Sequence, residues 1–162
     1  MHYHINSQLL IQGASMSIWH QPITLEFCKQ LDQGITGQGT LMKTMGIEIS
    51  EIGDDYLVAT MPAIPEHHNP MGIVHGGANV VLAETVASYA ANFVVDFSRF
   101  YCVGQEISAS HLKASRNGTL TATARAYHIG KRSSVWDIKI TNSRNELCCV
   151  SRMTAAVVER KG

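Results

Sequence analysis

The chain has 162 residues, of which 45% are hydrophobic and 16% are charged, with 13 basic and 13 acidic side chains. These values are typical of one globular domain with a sizeable core, and they exclude a disordered chain. The charge is unevenly divided, because residues 1–98 hold 2 Lys/Arg and 9 Asp/Glu whereas residues 99–162 hold 11 and 4. The basic part could bind an anionic group such as a nucleotide phosphate or neutralise the acidic part, and the overall balance argues against nucleic acid as a partner.

The N-terminal stretch is predicted to be a loose lead-in over residues 1–21, followed by a single domain over 22–160. It lacks the basic start and the long apolar run of a secretory signal, so we expect a cytoplasmic protein, and Met16 is an alternative start. Residues 23–34 (ITLEFCKQLDQG) predict a short amphipathic helix that ends at a glycine. Residues 46–63 predict two strands joined by a turn at Gly53-Asp54-Asp55.

A long, mostly apolar helix is predicted from Gly76 to about Phe97. Its recurring polar residues argue against a membrane span. Past this helix the hydrophobic period changes from 3.6 to 2, which predicts an antiparallel meander with a turn at Asn117-Gly118. Its strands are expected near 100–113, 119–129, 133–142 and 146–158. The sequence therefore predicts an α+β fold in which an antiparallel sheet of five to six strands wraps one long helix.

Four cysteines, Cys28, Cys102, Cys148 and Cys149, lack the CxxC spacing of metal sites. Reduced structural thiols are the preferred interpretation.

One acidic residue, Glu84, interrupts the apolar helix, and no Lys or Arg occurs from residue 44 to residue 98. We expect this carboxylate to be semi-buried. The pair Gly76-Gly77 begins the helix, where backbone N–H groups lack helical partners and the dipole favours negative charge. A fixed N–H of this kind can serve as an oxyanion hole. Glu84 lies about 12 Å farther along the same helix, so the two can cooperate only across a subunit interface. Ser88, one turn beyond Glu84, shares its face.

Each of these features also has an ordinary structural interpretation. A glycine pair at a helix start is often only a tight turn, and a helical glutamate often points into solvent. A metal site built from His67, His68, His75 and Glu84 is a weaker alternative, because no HxxxH or HExxH spacing occurs. The sequence also lacks the GxSxG, P-loop and GxGxxG patterns of serine hydrolases and nucleotide-binding proteins.

The segment HHNPMGIVHGGANVVLAETVAS, residues 67–88, resembles the active-site segment of hotdog-fold acyl-CoA thioesterases. It is most similar to the PaaI-like branch, which holds the 4-hydroxybenzoyl-CoA, 1,4-dihydroxy-2-naphthoyl-CoA and enterobactin-synthesis proofreading thioesterases. Further similar segments follow in the same order and extend the resemblance over roughly residues 16–158. They are ITLE, IGDDYLVATMP, VGQEISASHLKASRNG, YHIGKRSSVWDIKI and LCCVSRMT.

The resemblance implies a hotdog fold and homodimers, usually assembled into homotetramers, with active sites at the dimer interface. It implies hydrolysis of an acyl-CoA or acyl-carrier thioester, with no cofactor beyond the coenzyme A of the substrate, no metal, and neither nucleic acid nor membrane as a partner. An aromatic acyl-CoA is the expected substrate, whereas a carrier-bound or medium-chain acyl group stays open.

By position, Glu84 matches the catalytic carboxylate of the family, acting as general base or as nucleophile. Gly76 matches the backbone donor to the thioester oxygen, and His75 the residue that orients and polarises the thioester. Asn69 falls where this branch commonly has Gln, and a shorter amide there bears on the choice of substrate. Ser88 matches a hydroxyl one turn after the acid.

The resemblance also implies residues that bind the substrate. His111, Tyr89 and Phe93 are expected to line the acyl pocket, although a buried structural histidine is an alternative for His111. Coenzyme A phosphates are expected near four basic residues, which are Lys113, Arg116, Lys131 and Arg132. Two other functions remain as alternatives, a hotdog dehydratase or hydratase acting on 3-hydroxyacyl or enoyl thioesters, and a non-catalytic module that binds acyl-CoA.

Overall fold

The computed structural model describes residues 17–32 and 39–161. Its helices are α1 (Leu25–Asp32), α2 (Leu41–Met45) and α3 (Gly76–Phe93), with one 3-10 turn at Pro65–His67. Its strands are β1 (Glu48–Ile52), β2 (Tyr56–Pro62), β3 (Phe100–His111), β4 (Thr119–Ile129), β5 (Ser133–Thr141) and β6 (Leu147–Glu159). The predicted turn at residues 53–55 joins β1 and β2, as expected from its Gly and Asp residues.

All six strands form one antiparallel sheet in the order β1-β2-β4-β5-β6-β3. Strands β4 to β6 form the predicted meander, but the expectation that β3 belongs to it is wrong. Strand β3 pairs with β6, and β4 pairs with β2. The segment between β3 and β4 crosses the end of the sheet, where Leu112 N–H donates to Cys148 O at 2.8 Å. The Asn117-Gly118 turn, with Gly118 at φ +80°, therefore leads into β4 and closes no β3–β4 hairpin.

Helix α3 lies across the sheet and contacts strands β2 to β6. Small residues on β4, Ala122 and Ala124, are fully buried and let the helix approach the sheet closely. The largest fully buried side chains, Trp136 and Phe93, complete the core. A long helix wrapped by a six-stranded antiparallel sheet is the hotdog fold, which confirms the α+β prediction.

Helix α3 ends at Phe93, four residues before the predicted end near Phe97. Beyond it, the Asp96 carboxylate accepts hydrogen bonds from the Ser98 backbone N–H at 2.9 Å and from its hydroxyl at 2.6 Å. This Asp-centred turn competes with the helix for the backbone groups of the segment, which is why apolar periodicity alone overestimated the helix length.

The described part of the N-terminal lead-in packs on the domain rather than lying loose. Trp19 Nε1 donates to Gly53 O at 2.7 Å, and the indole ring meets Phe93 edge-on with centroids 6.3 Å apart. Helix α1 starts after Thr24, whose hydroxyl accepts from Phe27 N–H at 3.1 Å. Met16 and the predicted helix end at Gly34 lie outside the described residues, and the domain boundary at residue 22 stays a prediction.

The four cysteines are buried free thiols. Among the helices of the described segments, none is long and apolar enough to span a membrane.

Candidate active site

The start of α3 presents a polar surface made of His75 and Gly76. His75 is the N-cap, and its Nδ1 accepts a hydrogen bond from Gly77 N–H at 2.8 Å. Because Nδ1 is the acceptor, the proton of the neutral ring lies on Nε2, which can donate to a ligand. Within residues 17–32 and 39–161, the Gly76 N–H donates to no protein acceptor. The helix therefore begins with a free backbone donor at Gly76, and the residue before it carries an imidazole N–H.

The loop before the helix is held by its own hydrogen bonds. Asn69 N–H donates to Ile73 O at 2.8 Å, and Asn69 Oδ1 accepts from Met71 N–H at 2.9 Å. Gly72 adopts φ +68°, which closes the turn with little strain. Because the side-chain oxygen of Asn69 already accepts a hydrogen bond within the loop, its amide NH₂ is the group that can donate to a ligand.

A cavity of about 330 Å³ opens at this end of the helix. Its lining includes residues of the loop, of α3 and of the segment after β3, among them Asn69, Gly76, Asn79, His111, Lys113 and Ser115. The structure therefore brings together four of the residues selected from the sequence.

A side chain at position 76 would displace His111, which lies directly against it. A Cβ atom on Gly76 would lie 2.7 Å from Nε2 of His111. The imidazole of His111 is exposed rather than buried, so the alternative of a buried structural histidine is wrong for the single chain. His111 instead forms part of the cavity wall beside the free N–H.

Glu84 is exposed on α3, and the expectation of a semi-buried carboxylate is wrong for the single chain. Its Oε1 lies 2.9 Å from the position that a Cβ on Gly104 would occupy. Strand β3 has a bulge between Gly104 and Glu106. A bulge beside a functional group commonly redirects the strand, and here the missing side chain leaves room for the carboxylate.

Asn92 fixes the distance between α3 and this part of β3. Its Oδ1 accepts from Cys102 N–H at 2.8 Å, and its Nδ2 donates to Cys102 O at 3.2 Å. This pair of bonds holds the bulged strand segment next to the last turns of the helix, and so positions Gly104 relative to Glu84.

The two groups of polar residues lie at opposite ends of the sheet. His111 pairs with Cys149 on β6, whereas Gly104 pairs with Ala155. Along a strand this separation is roughly 20 Å. Glu84 and Gly76 of one chain therefore do not form a single site, and β3, which carries both ends, is an edge strand of the sheet.

Other predicted site residues have protein partners. Ser88 Oγ contacts Met153 Sδ at 3.8 Å. The Tyr89 hydroxyl donates to Asp32 Oδ1 at 2.5 Å, so Tyr89 does not line the cavity. Burial raises the pKa of Asp32 above its usual range. Phe93 is 1% exposed and lies in the core, so the expectation that it lines an acyl pocket is wrong for the single chain.

The basic residues fall into two groups. Lys113 forms an ion pair with Glu146 at 2.6 Å, and Arg116 donates to Gly72 O at 2.9 Å, so both lie near the cavity end. Lys131 and Arg132 are exposed in the β4–β5 turn. The neighbouring Ser134 pairs with Ala155, which places this turn at the Gly104 end of the sheet.

The metal alternative finds no geometric basis in the segments that the structure covers, since no three His, Cys, Asp or Glu side chains there form a possible metal group. His67 Nδ1 instead contacts Pro62 O at 2.7 Å.

Sequence reasoning missed Gly104, Asn92 and Asn79. An isolated glycine inside a strand pattern signals a bulge or a close approach, so Gly104 could have been found. The roles of the two asparagines depend on packing between elements, for which the sequence holds no local signal.

A hotdog fold with a free N–H at the start of its long helix is suited to holding a carbonyl oxygen, and comparison with known proteins identifies the family. A family model described as "Thioesterase superfamily" matches residues 71–149. The 1,4-dihydroxy-2-naphthoyl-CoA hydrolase of Escherichia coli is 38% identical over 141 residues, covering 87% of this chain and 99% of that enzyme. The proofreading thioesterase EntH of Cronobacter turicensis is 39% identical over 141 residues, covering 87% of this chain and 98% of that protein.

The crystal structure of a mutant thioesterase from Pseudomonas aeruginosa superimposes with a TM-score of 0.83 at 39% identity, covering 89% of this chain and 100% of that one. The chain belongs to the thioesterase superfamily. It is a thioester hydrolase, as the sequence predicted.

Proposed function

We propose that this thioester hydrolase cleaves aromatic acyl-CoA thioesters to the free acid and coenzyme A, using Gly76 of one subunit and Glu84 of another. The observation that carries the proposal is the free Gly76 N–H at the N-terminus of α3, directly after the N-cap His75. Hydrogen-bond donors on these two consecutive residues suit a thioester oxygen that becomes negative during the reaction. The names of the relatives support an aromatic acyl group, since the Escherichia coli enzyme is named for 1,4-dihydroxy-2-naphthoyl-CoA.

The proposed site needs a second copy of the chain. Among the strands of residues 17–32 and 39–161, β3 leaves one of its edges unpaired, and Val103 on it is 43% exposed. Antiparallel pairing of two β3 strands about a two-fold axis would bring the Gly76 end of one chain to the Glu84 end of the other, twice per dimer. The same pairing would add Lys131 and Arg132 of the partner chain, where they can meet the phosphates of coenzyme A. Pairing of dimers into a tetramer is the further assembly that we propose.

In the proposed reaction the thioester oxygen accepts hydrogen bonds from Gly76 N–H and His75 Nε2–H, which polarises the carbonyl. Glu84 then either takes a proton from water, which attacks the carbonyl carbon, or attacks it directly to form an anhydride that water opens. In both routes the C–S bond breaks and the coenzyme A thiolate leaves, taking up a proton. The Asn69 amide NH₂ can hold the water or the carbonyl, and Ser88 lies one turn from the acid. The cytoplasmic location stays a prediction.

Release of free thiol tests this function directly. The substrates are the benzoyl, 4-hydroxybenzoyl, dihydroxynaphthoyl, phenylacetyl, hexanoyl and crotonyl thioesters of coenzyme A. We expect fast release from the aromatic members and a loss of about 10²–10⁴-fold in Glu84→Gln, because that is the usual contribution of a general base. Glu26→Gln, at an exposed glutamate of α1, is the matched control. Hydration of the crotonyl thioester without thiol release would instead support a hydratase.

A further inference from the structure

The cavity beside Gly76 contains a buried acceptor that the mechanism above does not use. Asn79 is 6% exposed and lines the cavity one turn into α3. Its Oδ1 has no hydrogen-bond partner among the residues that the structure describes. A buried polar atom without a partner destabilises a folded protein, so native structures rarely contain one that nothing satisfies.

Neighbouring polar groups of the cavity are already engaged. Ser115 Oγ contacts Cys148 Sγ at 3.2 Å, and Lys113 Nζ pairs with Glu146 Oε1 at 2.6 Å. Asn69 Oδ1 accepts from Met71 N–H at 2.9 Å. Asn79 therefore offers a ligand a buried acceptor without a partner among the described residues, near the free donor at Gly76.

The chemistry of the missing partner follows from the acceptor. A carboxamide oxygen can only accept, so the group that satisfies it must carry an O–H or N–H. Asn79 lies about 5 Å along the helix from Gly76, a distance that an aromatic ring attached to a carbonyl spans. Apolar side chains, Ile73 and Val74, also line the cavity and suit the faces of a ring.

We propose that Asn79 is a specificity-determining residue that selects acyl groups carrying a hydrogen-bond donor, above all a ring hydroxyl. The inference rests on the proposed function, since it places the thioester carbonyl at Gly76 and the ring beyond it. A site built to bind a hydroxyl discriminates against the analogue that lacks it, because the buried oxygen is then left without a partner.

The test compares the kcat/KM values of hydroxylated and unsubstituted benzoyl-CoA in the wild type, in Asn79→Leu and in Asn79→Ser. Leucine keeps the branched shape and removes the acceptor, whereas serine keeps an acceptor of shorter reach. The 2-, 3- and 4-hydroxybenzoyl thioesters are all used, because the one with the highest kcat/KM shows which ring position best places the hydroxyl. We expect Asn79→Leu to lower the ratio of hydroxylated to unsubstituted substrate by about 10- to 100-fold, and Asn79→Ser to retain more of it.

An unchanged ratio in Asn79→Leu overturns the proposal. If kcat/KM falls equally for all the substrates, the ratio is also unchanged, and the partner of Asn79 would then be an N–H of the pantetheine arm or a bound water. The thermal unfolding midpoints of both variants are measured, and Asn79→Ser carries the test where the leucine variant fails to fold.

The binding of free acids separates this inference from the proposed function. The Kd values of 4-hydroxybenzoate, 3-hydroxybenzoate and benzoate are measured by NMR titration, which needs no turnover. A wild type that hydrolyses no member of the panel contradicts the proposed function, yet a hydroxyl preference that is lost in Asn79→Leu still supports the role of Asn79. Equal Kd values for hydroxylated and unsubstituted acids in the wild type contradict that role.

Discussion

The carboxylate of Glu84 occupies the space that a side chain at Gly104 would need, with Oε1 2.9 Å from the Cβ position. The relationship links an acid on α3 to a bulge in β3, and Asn92 ties the same two elements together. The orientation of the proposed catalytic carboxylate is therefore set by a residue that has no side chain.

Replacing Gly104 with alanine should reduce activity with little effect on stability. The new methyl group meets the end of a flexible side chain, so the carboxylate rather than the backbone moves. A displacement of about 1 Å can reduce the rate by about 10²-fold. The measurement is kcat together with the thermal unfolding midpoint, with Ser110→Ala on the exposed face of β3 as the control. Unchanged kcat in Gly104→Ala would show that the glycine does not position Glu84.

The contribution of the Gly76 N–H can be isolated by comparing Gly76→Pro with Gly76→Ala. Both variants add a Cβ beside His111, but only proline removes the N–H. The first position of a helix tolerates proline, and His75 has φ −61° and ψ 136°, which suit a residue before proline. We expect the proline variant to be slower than the alanine variant by about 10²–10³-fold in kcat, the usual effect of losing one oxyanion-hole donor.

The comparison is made on thiol release from the best aromatic substrate, with circular dichroism spectra to check that both variants keep their helices. Equal rates in the two variants would remove the Gly76 N–H from the mechanism.

Mixing two inactive variants should restore activity if each site uses two chains. Gly76→Pro and Glu84→Gln are unfolded together, refolded as a 1:1 mixture and assayed for thiol release. Random assortment makes half of the dimers mixed, and each mixed dimer holds one intact site of two, so we expect about a quarter of the wild-type rate. Each variant refolded alone is the control. If the mixture releases thiol no faster than either variant alone, Gly76 and Glu84 of the same chain would form the site.

Glu146 should make the stability of the protein depend on pH in acid. Hydrogen bonds from Asn142, Lys113 and Arg144 lower the pKa of this carboxyl from 4.5 to about 2. Because the pKa is lower in the folded chain, the carboxylate stabilises the fold above pH 4.5, and this contribution disappears as the pH falls towards 2.

Urea unfolding between pH 7 and pH 2 checks this expectation. The free energy of unfolding of Glu146→Gln should fall less steeply below pH 4.5 than that of the wild type. Glu26→Gln, at an exposed glutamate, should follow the wild type. Parallel curves for Glu146→Gln and wild type would mean that the hydrogen bonds at Glu146 do not contribute to folding.

Local sequence signals predicted the parts of the molecule that depend on neighbouring residues. The turn at residues 53–55, the start of α3 at Gly76 and the alternation of β4 and β5 follow from turn chemistry and hydrophobic period, and all of them occur in the structure. The family resemblance identified the reaction class because it includes the continuous segment of residues 67–88 around the helix start, with further similar segments in the same order.

Features that depend on distant residues were not predictable in this way. The position of β3 beside β6 results from packing around α3, and the Asn-Gly signal at residues 117–118 suggested a different neighbour. Glu84 was expected to be semi-buried because its surroundings in sequence are apolar, whereas its side chain extends over the bulge at Gly104. The unpaired oxygen of Asn79 likewise becomes visible only when the cavity is known.

The pairing of β3 with the last strand has a consequence for synthesis of the chain on the ribosome. β3 emerges well before β6, its only strand partner within the chain segments that the structure describes. Until Leu147–Glu159 emerges, both edges of β3 are open to other chains. Long-range pairing of this kind also slows folding. A chain that stops before Leu147 is therefore expected to aggregate, which light scattering during cell-free synthesis would detect, whereas the full-length chain should stay in solution.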